Sequence, residues 1–234
     1  MESEVRSGQA EFAGHRIAYR VAGHGPALVL LKNDRYSTIS DELRLLSDRY
    51  TVVQISPLGF GRSDRPRDYP RAGIHEHVLA VLDHEEVDRF VVWGYSQCGA
   101  MAAAVAQATP RAAGMVSGGF SLVDGGPTDA RLSHMDREQR VPVAPRAFWH
   151  WRKRFDWLDE LAAMRCPRLL YVGTEDRLQA LGVRRTREAL TERGVTVIEF
   201  DGLDHRTCAR EPALSTRVVP TVLDWLDESV GTGW

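Results

Sequence analysis

The sequence predicts an α/β fold: a mostly parallel sheet with helices on both faces and a short helical cap inserted between its two halves. Three observations carry this. Short β-branched and aliphatic runs recur at Ala27–Leu31, Thr51–Ile55, 89–93, 168–172 and 196–200, and runs with so few polar residues mark strands buried on both faces. Segments with apolar residues at helical spacing separate them, and strands alternating with helices imply βαβ units and a parallel sheet. The alternation stops once, after Gly118, and resumes at Arg168. A chain of 234 residues suits one domain, so 1–234 is expected to be a single unit with a cap at approximately 119–161.

Each element follows from local chemistry. Residues 11–21 alternate around Gly14-His15, which predicts an N-terminal hairpin. Gly23-His24-Gly25-Pro26 ends it, and the buried strand Ala27–Leu31 follows. Leu43, Leu45 and Leu46 fall in a short helix over 40–46, before the second buried strand Thr51–Ile55. After a glycine-rich loop at 56–64, Ile74, Val78, Leu79, Val81 and Leu82 take helical spacing. The strand 89–93 leads to a helix of very small side chains over 101–108, stopped by Pro110. A short strand is expected at 113–116.

Residues 119–145 are polar and broken by Gly125, Gly126, Pro127, Pro142 and Pro145. Phe148, Trp151, Phe155 and Leu158 then recur at 3-4-3 spacing, predicting one helical stripe over 148–161. The Arg-rich stretch 151–154 reads as its solvated face. The strand 168–172, a helix over 183–193, the strand 196–200 and a helix over 212–227 complete the chain, with Pro220 kinking or restarting the last.

Composition excludes several function classes. The net charge of −2 points to neither a nucleic-acid nor an anionic-membrane partner. No apolar run approaches the ~18 residues of a membrane span, and the polar start Met1-Glu2-Ser3-Glu4 lacks the apolar core of a signal peptide. Cys98, Cys166 and Cys208 are an odd count without paired spacing, so neither a disulfide framework nor a zinc knuckle is expected. A reducing cytoplasm is the expected location. His75-Glu76-His77 looks like a metal fragment, but alternate residues on a helix face different ways, so no metal site is expected.

The chemistry centres on Gly94-Tyr95-Ser96-Gln97-Cys98-Gly99, where a strand meets a helix. That order lifts a serine hydroxyl off the end of a sheet, as in a G-x-S-x-G nucleophile elbow, although Cys98 stands where the second glycine belongs. A serine needs a base, and the base needs an orienting group. Gly173-Thr174-Glu175-Asp176 and Asp201-Gly202-Leu203-Asp204-His205 each follow a later strand, where such partners should sit. The other seven histidines occupy no matching position. Glu175, Asp176 and Asp124 all qualify by position as the acid.

With the elbow, the loop Ser56-Pro57-Leu58-Gly59-Phe60-Gly61-Arg62-Ser63-Asp64-Arg65-Pro66, the acid loop and the histidine loop, the sequence resembles the α/β-hydrolase superfamily over nearly its whole length. The resemblance implies Ser96 as nucleophile, His205 as general base and then acid, and Asp176 as orienting acid. It implies no cofactor. It also implies an oxyanion hole made by the backbone amides of Gln97 and Asp34. Family members usually carry His-Gly after the first buried parallel strand, whereas this chain has Lys32-Asn33 followed by Asp34. An acidic side chain there must point away from the oxyanion or pair with Lys32 or Arg35.

The function expected is cleavage of a carboxylic ester, lactone or thioester through an acyl-enzyme. The alternatives are a C–C bond hydrolase, or a non-hydrolytic member: a cyclase, a lyase or a ligand-binding protein, for which the altered Lys32-Asn33 segment is the support. Phe120, Phe148, Trp149 and Trp151 are the candidates for lining a pocket, which suggests a small substrate with an apolar group. The sequence does not specify an oligomeric state.

Overall fold

The computed structural model describes residues 4–33, 39–66, 74–123, 148–150, 152–154, 156–231 and 234. Its strands are β1 (Arg6–Phe12), β2 (His15–Ala22), β3 (Ala27–Leu31), β4 (Thr51–Ile55), β5 (Phe90–Tyr95), β6 (Ala112–Gly118), β7 (Arg168–Gly173) and β8 (Val195–Phe200). They form one eight-stranded sheet in the order β1-β2-β4-β3-β5-β6-β7-β8. The β1–β2 hairpin pairs antiparallel to β4, and every pairing from β4 through β8 is parallel. This is the mostly parallel α/β sheet that the sequence predicts.

Helices cover both faces because the central strands are apolar on both sides. Alternate residues of β3 and β5 turn opposite ways: Val29, Leu31 and Val92 join one core, and Leu28, Leu30, Val91 and Trp93 join the other. The first core is closed by α2 (Ile74–His84), α3 (Gln97–Ala108), α4 (Trp157–Ala163) and α5 (Arg177–Glu192). The second is closed by α1 (Asp41–Leu46) and α6 (Val219–Ser229). Ser40 caps α1, its hydroxyl accepting from the Leu43 amide at 3.2 Å.

Two helical expectations are corrected. The stripe over 148–161 is not one helix: Phe148 to His150 are helical, and a new helix starts at Trp157. Asp156 is the reason, since its carboxylate accepts from the Leu158 amide at 3.0 Å and caps α4. The helix expected over 183–193 begins six residues earlier, at Arg177 directly after Asp176. Pro220 restarts the C-terminal helix: a wider π turn, Leu214–Val218, precedes it, and the proline occupies the first turn of α6, where its missing N–H is no loss. Most of the expected cap (124–147, Trp151 and Phe155) lies outside the described residues. Among those residues no helix is long and apolar enough to cross a membrane.

His77 on α2 is fully buried, its ring 5.0 Å from that of Phe12. Burial pushes its pKa down to about 4, whereas in the unfolded chain it returns to about 6.5. Because the folded value is the lower one, the unfolded state takes up a proton first as the pH falls. Stability from this group is therefore complete above about pH 6.5 and is lost between there and about pH 4. Between pH 7.5 and 4.5 the loss is on the order of 2 to 3 kcal/mol. Denaturant unfolding at the two pH values should show a clearly smaller drop for His77→Phe than for the unmodified chain; equal drops would refute this assignment.

Candidate active site

Ser96 sits at the junction of β5 and α3 with φ 57° and ψ −128°, a conformation that non-glycine residues rarely adopt. Its surroundings hold it there. The Ser96 amide donates to the Gly118 carbonyl at 2.7 Å, and the Ser96 carbonyl accepts from the Gly99 amide at 2.8 Å. A side chain at Gly94 would overlap the Cys98 carbonyl, and one at Gly99 would press on Ser117 and Gly118 of β6. The close approach between helix and sheet thus falls on Gly99. Cys98 is buried in the core beside it and needs no glycine's room.

His205 lies in the loop after β8, and Asp176 in the loop after β7. The His205 Nε2 atom is 3.0 Å from Ser96 Oγ, and its Nδ1 is 2.5 Å from Asp176 Oδ2. The carboxylate is buried and the imidazole partly open, so the pair runs from the interior toward solvent. Asp176 precedes the first residue of α5 yet makes no side-chain cap bond there, which leaves the carboxylate to the histidine. Glu175, its rival, is exposed; Asp124 lies outside the described residues.

Both loops are laced together and braced internally. The Glu175 amide donates to the Leu203 carbonyl at 2.9 Å, and the Gly202 amide donates to Thr174 Oγ1 at 2.9 Å. Asp204 accepts from the amides of Arg206 and Thr207, both at 2.8 Å. These bonds hold its carboxyl below the usual carboxylate range and tighten the turn that carries His205.

Gln97 is the first residue of α3, where a backbone N–H has no intrahelical acceptor. Its side chain accepts from Asn33 Nδ2 at 3.2 Å, which draws the chain after β3 up to the elbow. Asp34, the other expected oxyanion donor, lies outside the described residues. The Lys32 ammonium pairs with the buried Glu42 of α1 at 2.6 Å.

A family model described as the alpha/beta hydrolase fold matches residues 32–120, the part that contains the elbow. The chain has the α/β-hydrolase fold. Solved structures sharing it include a thermophilic esterase from Thermogutta terrifontis, 17% identical with a TM-score of 0.72 over 95% of this chain and 98% of that one. Another is 2-hydroxy-6-oxo-6-phenylhexa-2,4-dienoate hydrolase from Rhodococcus sp. strain RHA1, 17% identical with a TM-score of 0.67 over 97% and 98% of the two chains. An uncharacterized protein of Mycobacterium tuberculosis is 34% identical over 101 residues, 42% of this chain and 30% of that protein. The matched stretch thus spans under a third of that curated relative's length.

In this α/β-hydrolase fold, Phe120 follows β6, two residues beyond the carbonyl that holds the Ser96 amide. Phe120, Phe148 and Trp149 are all buried and touch: Phe120 stacks on Trp149 at 5.7 Å, and Phe148 lies 5.0 Å from Trp149. Trp151 lies outside the described residues. The solvated face expected over 151–154 is corrected at Arg152, which is buried with its guanidinium 5.4 Å from the Phe120 ring and 4.7 Å from that of Trp157. It also donates to the Leu122 carbonyl. Aromatic faces offset part of its desolvation, and burial still pushes its pKa down to about 10. By sequence Arg152 reads as solvated and Tyr95 carries no role; the available signals were two aromatic neighbours for the one and adjacency to Ser96 for the other.

Proposed function

We propose that the protein is a serine hydrolase that cleaves a carboxylic ester, lactone or thioester by way of an acyl-enzyme. The observation that carries the reading is the unbroken chain of hydrogen-bond contacts from Ser96 through His205 to Asp176. In this mechanism Ser96 Oγ attacks the carbonyl carbon as His205 Nε2 takes its proton. Asp176 keeps the other proton on Nδ1 and stabilises the imidazolium. The Gln97 amide, joined in our reading by that of Asp34, donates to the developing oxyanion. The imidazolium then gives its proton to the leaving oxygen or sulfur, and the acyl-enzyme remains. Water, deprotonated by the same histidine, attacks it and releases the acid and free Ser96. Every group this scheme needs is a side chain or a backbone amide of this chain. The aromatic cluster around Phe120 and Trp149 supports a small substrate with an apolar group, and three buried free thiols support a cytoplasmic location.

Intact-mass analysis after treatment with a serine-directed fluorophosphonate tests this. One equivalent should add to the peptide that contains Ser96, and a panel of p-nitrophenyl esters, lactones and thioesters should include a substrate that turns over. Absence of labelling would overturn the proposal. Labelling with no acyl turnover, but with cleavage of a β-diketone, would favour the C–C bond hydrolase. Labelling with neither would favour the cyclase, lyase or ligand-binding reading, which the change to Lys32-Asn33 supports.

A further inference from the structure

We infer that Tyr95, the residue before Ser96, is a positioning residue that holds His205 against the serine. The inference rests on the reading of Ser96, His205 and Asp176 as a catalytic triad. The Tyr95 hydroxyl donates to the backbone carbonyl of His205 at 2.7 Å, and its ring lies 5.3 Å from the imidazole at 45°. One side chain therefore grips both the backbone and the ring of the base. It starts from the residue whose neighbour is the nucleophile, so the Ser96-to-His205 distance belongs to one local unit and not to two independent loops.

The seat of that side chain is built into the fold. Gly119 has φ 61°, and a Cβ there would fall inside the Tyr95 ring. The Tyr171 ring packs against it at 6.0 Å, and the Cys208 thiol lies beside the hydroxyl. Burial raises the phenol's pKa, so it stays protonated and keeps donating. Burial also pushes the Cys208 thiol up to about 11, so it remains an uncharged neighbour. The loop bonds brace Asp204 and its neighbours, while the His205 carbonyl takes the Tyr95 hydroxyl and its imidazole is partly exposed.

Tyr95→Phe keeps the ring in its seat and removes only the hydroxyl. Losing one neutral hydrogen bond to the base's backbone should lower kcat about fivefold to tenfold, with KM changed by less than about twofold because no substrate contact is lost. Rates are counted per active site titrated with the phosphonate, so unfolded molecules do not enter. Phosphonate labelling should slow by the same factor, because it uses the same base. The low-field proton resonance of the His205–Asp176 bond should broaden. Tyr95→Leu, which empties the seat as well, should lose more kcat than Tyr95→Phe. Unchanged kcat per titrated site and an unchanged low-field resonance in both Tyr95 variants would overturn the inference, whatever their melting temperatures. Failure of the triad reading shows up separately, as full activity in Ser96→Ala.

Discussion

Ser96→Ala is expected to lower turnover of any acyl substrate by about ten-thousandfold or more and to abolish phosphonate labelling, since triad residues act as a unit and only binding and the oxyanion donors remain. The fold should tolerate the change. Alanine occupies the same φ of 57° at the same strain, and Ser96 makes no side-chain cap bond that α3 would lose. Ser96→Gly sharpens the test. Glycine adopts this backbone without steric strain, and a residue held in a sparsely populated region costs on the order of 1–3 kcal/mol. The glycine variant should therefore be as inactive as the alanine variant but unfold at higher denaturant concentration. Substantial activity in either variant refutes the nucleophile assignment. Equal stability of the two would show that the elbow stores no strain.

Asp176→Asn is expected to lower kcat by about a thousandfold to ten-thousandfold, with KM little changed. The amide preserves size, but in the proposed mechanism it can no longer both hold Nδ1–H and offset the positive charge that His205 gains as Ser96 attacks. Stability should change little, since the carboxylate caps no amide of α5. Glu175→Gln is the control: its side chain is exposed and lies away from the imidazole's bond. It should stay within about twofold of the unmodified rate. If Glu175→Gln were the damaging change and Asp176→Asn the mild one, the acid would have to be reassigned.

The contrast between these two carboxylates shows how far local information reaches. Strand–helix alternation was legible because periodicity is a property of neighbouring residues, and short apolar runs such as Ala27–Leu31 are marked as strands by their length and by the Gly25-Pro26 before them. The elbow was legible for a similar reason: a strand ending at Gly94, followed by Ser96 and a run of alanines, specifies the turn within a dozen residues. Placement of an acid and a histidine beyond later strands also followed, since in a parallel sheet all such loops emerge at one end.

Other features depended on what those loops meet. Nothing next to Lys32 in the chain names Glu42, which α1 brings within 2.6 Å of its ammonium. Arg152 had the composition of a surface residue until two aromatic rings enclosed it. The stripe over 148–161 had the spacing of one helix, but Asp156 was free to cap the next one.

The sequence by itself determined the class of fold, the order of its strands and helices along the chain, and the serine, acid and histidine loops in which a triad would be sought. Only the tertiary structure decided that Asp176 and not Glu175 faces His205, that Nε2 meets Ser96, and that the Tyr95 hydroxyl reaches the His205 carbonyl. The reason is separation along the chain. Those partners stand 29, 109 and 110 residues apart, and they meet only because β5, β6, β7 and β8 lie side by side in that order. Periodicity tells a strand which faces it buries; it does not tell it which strand will lie next to it.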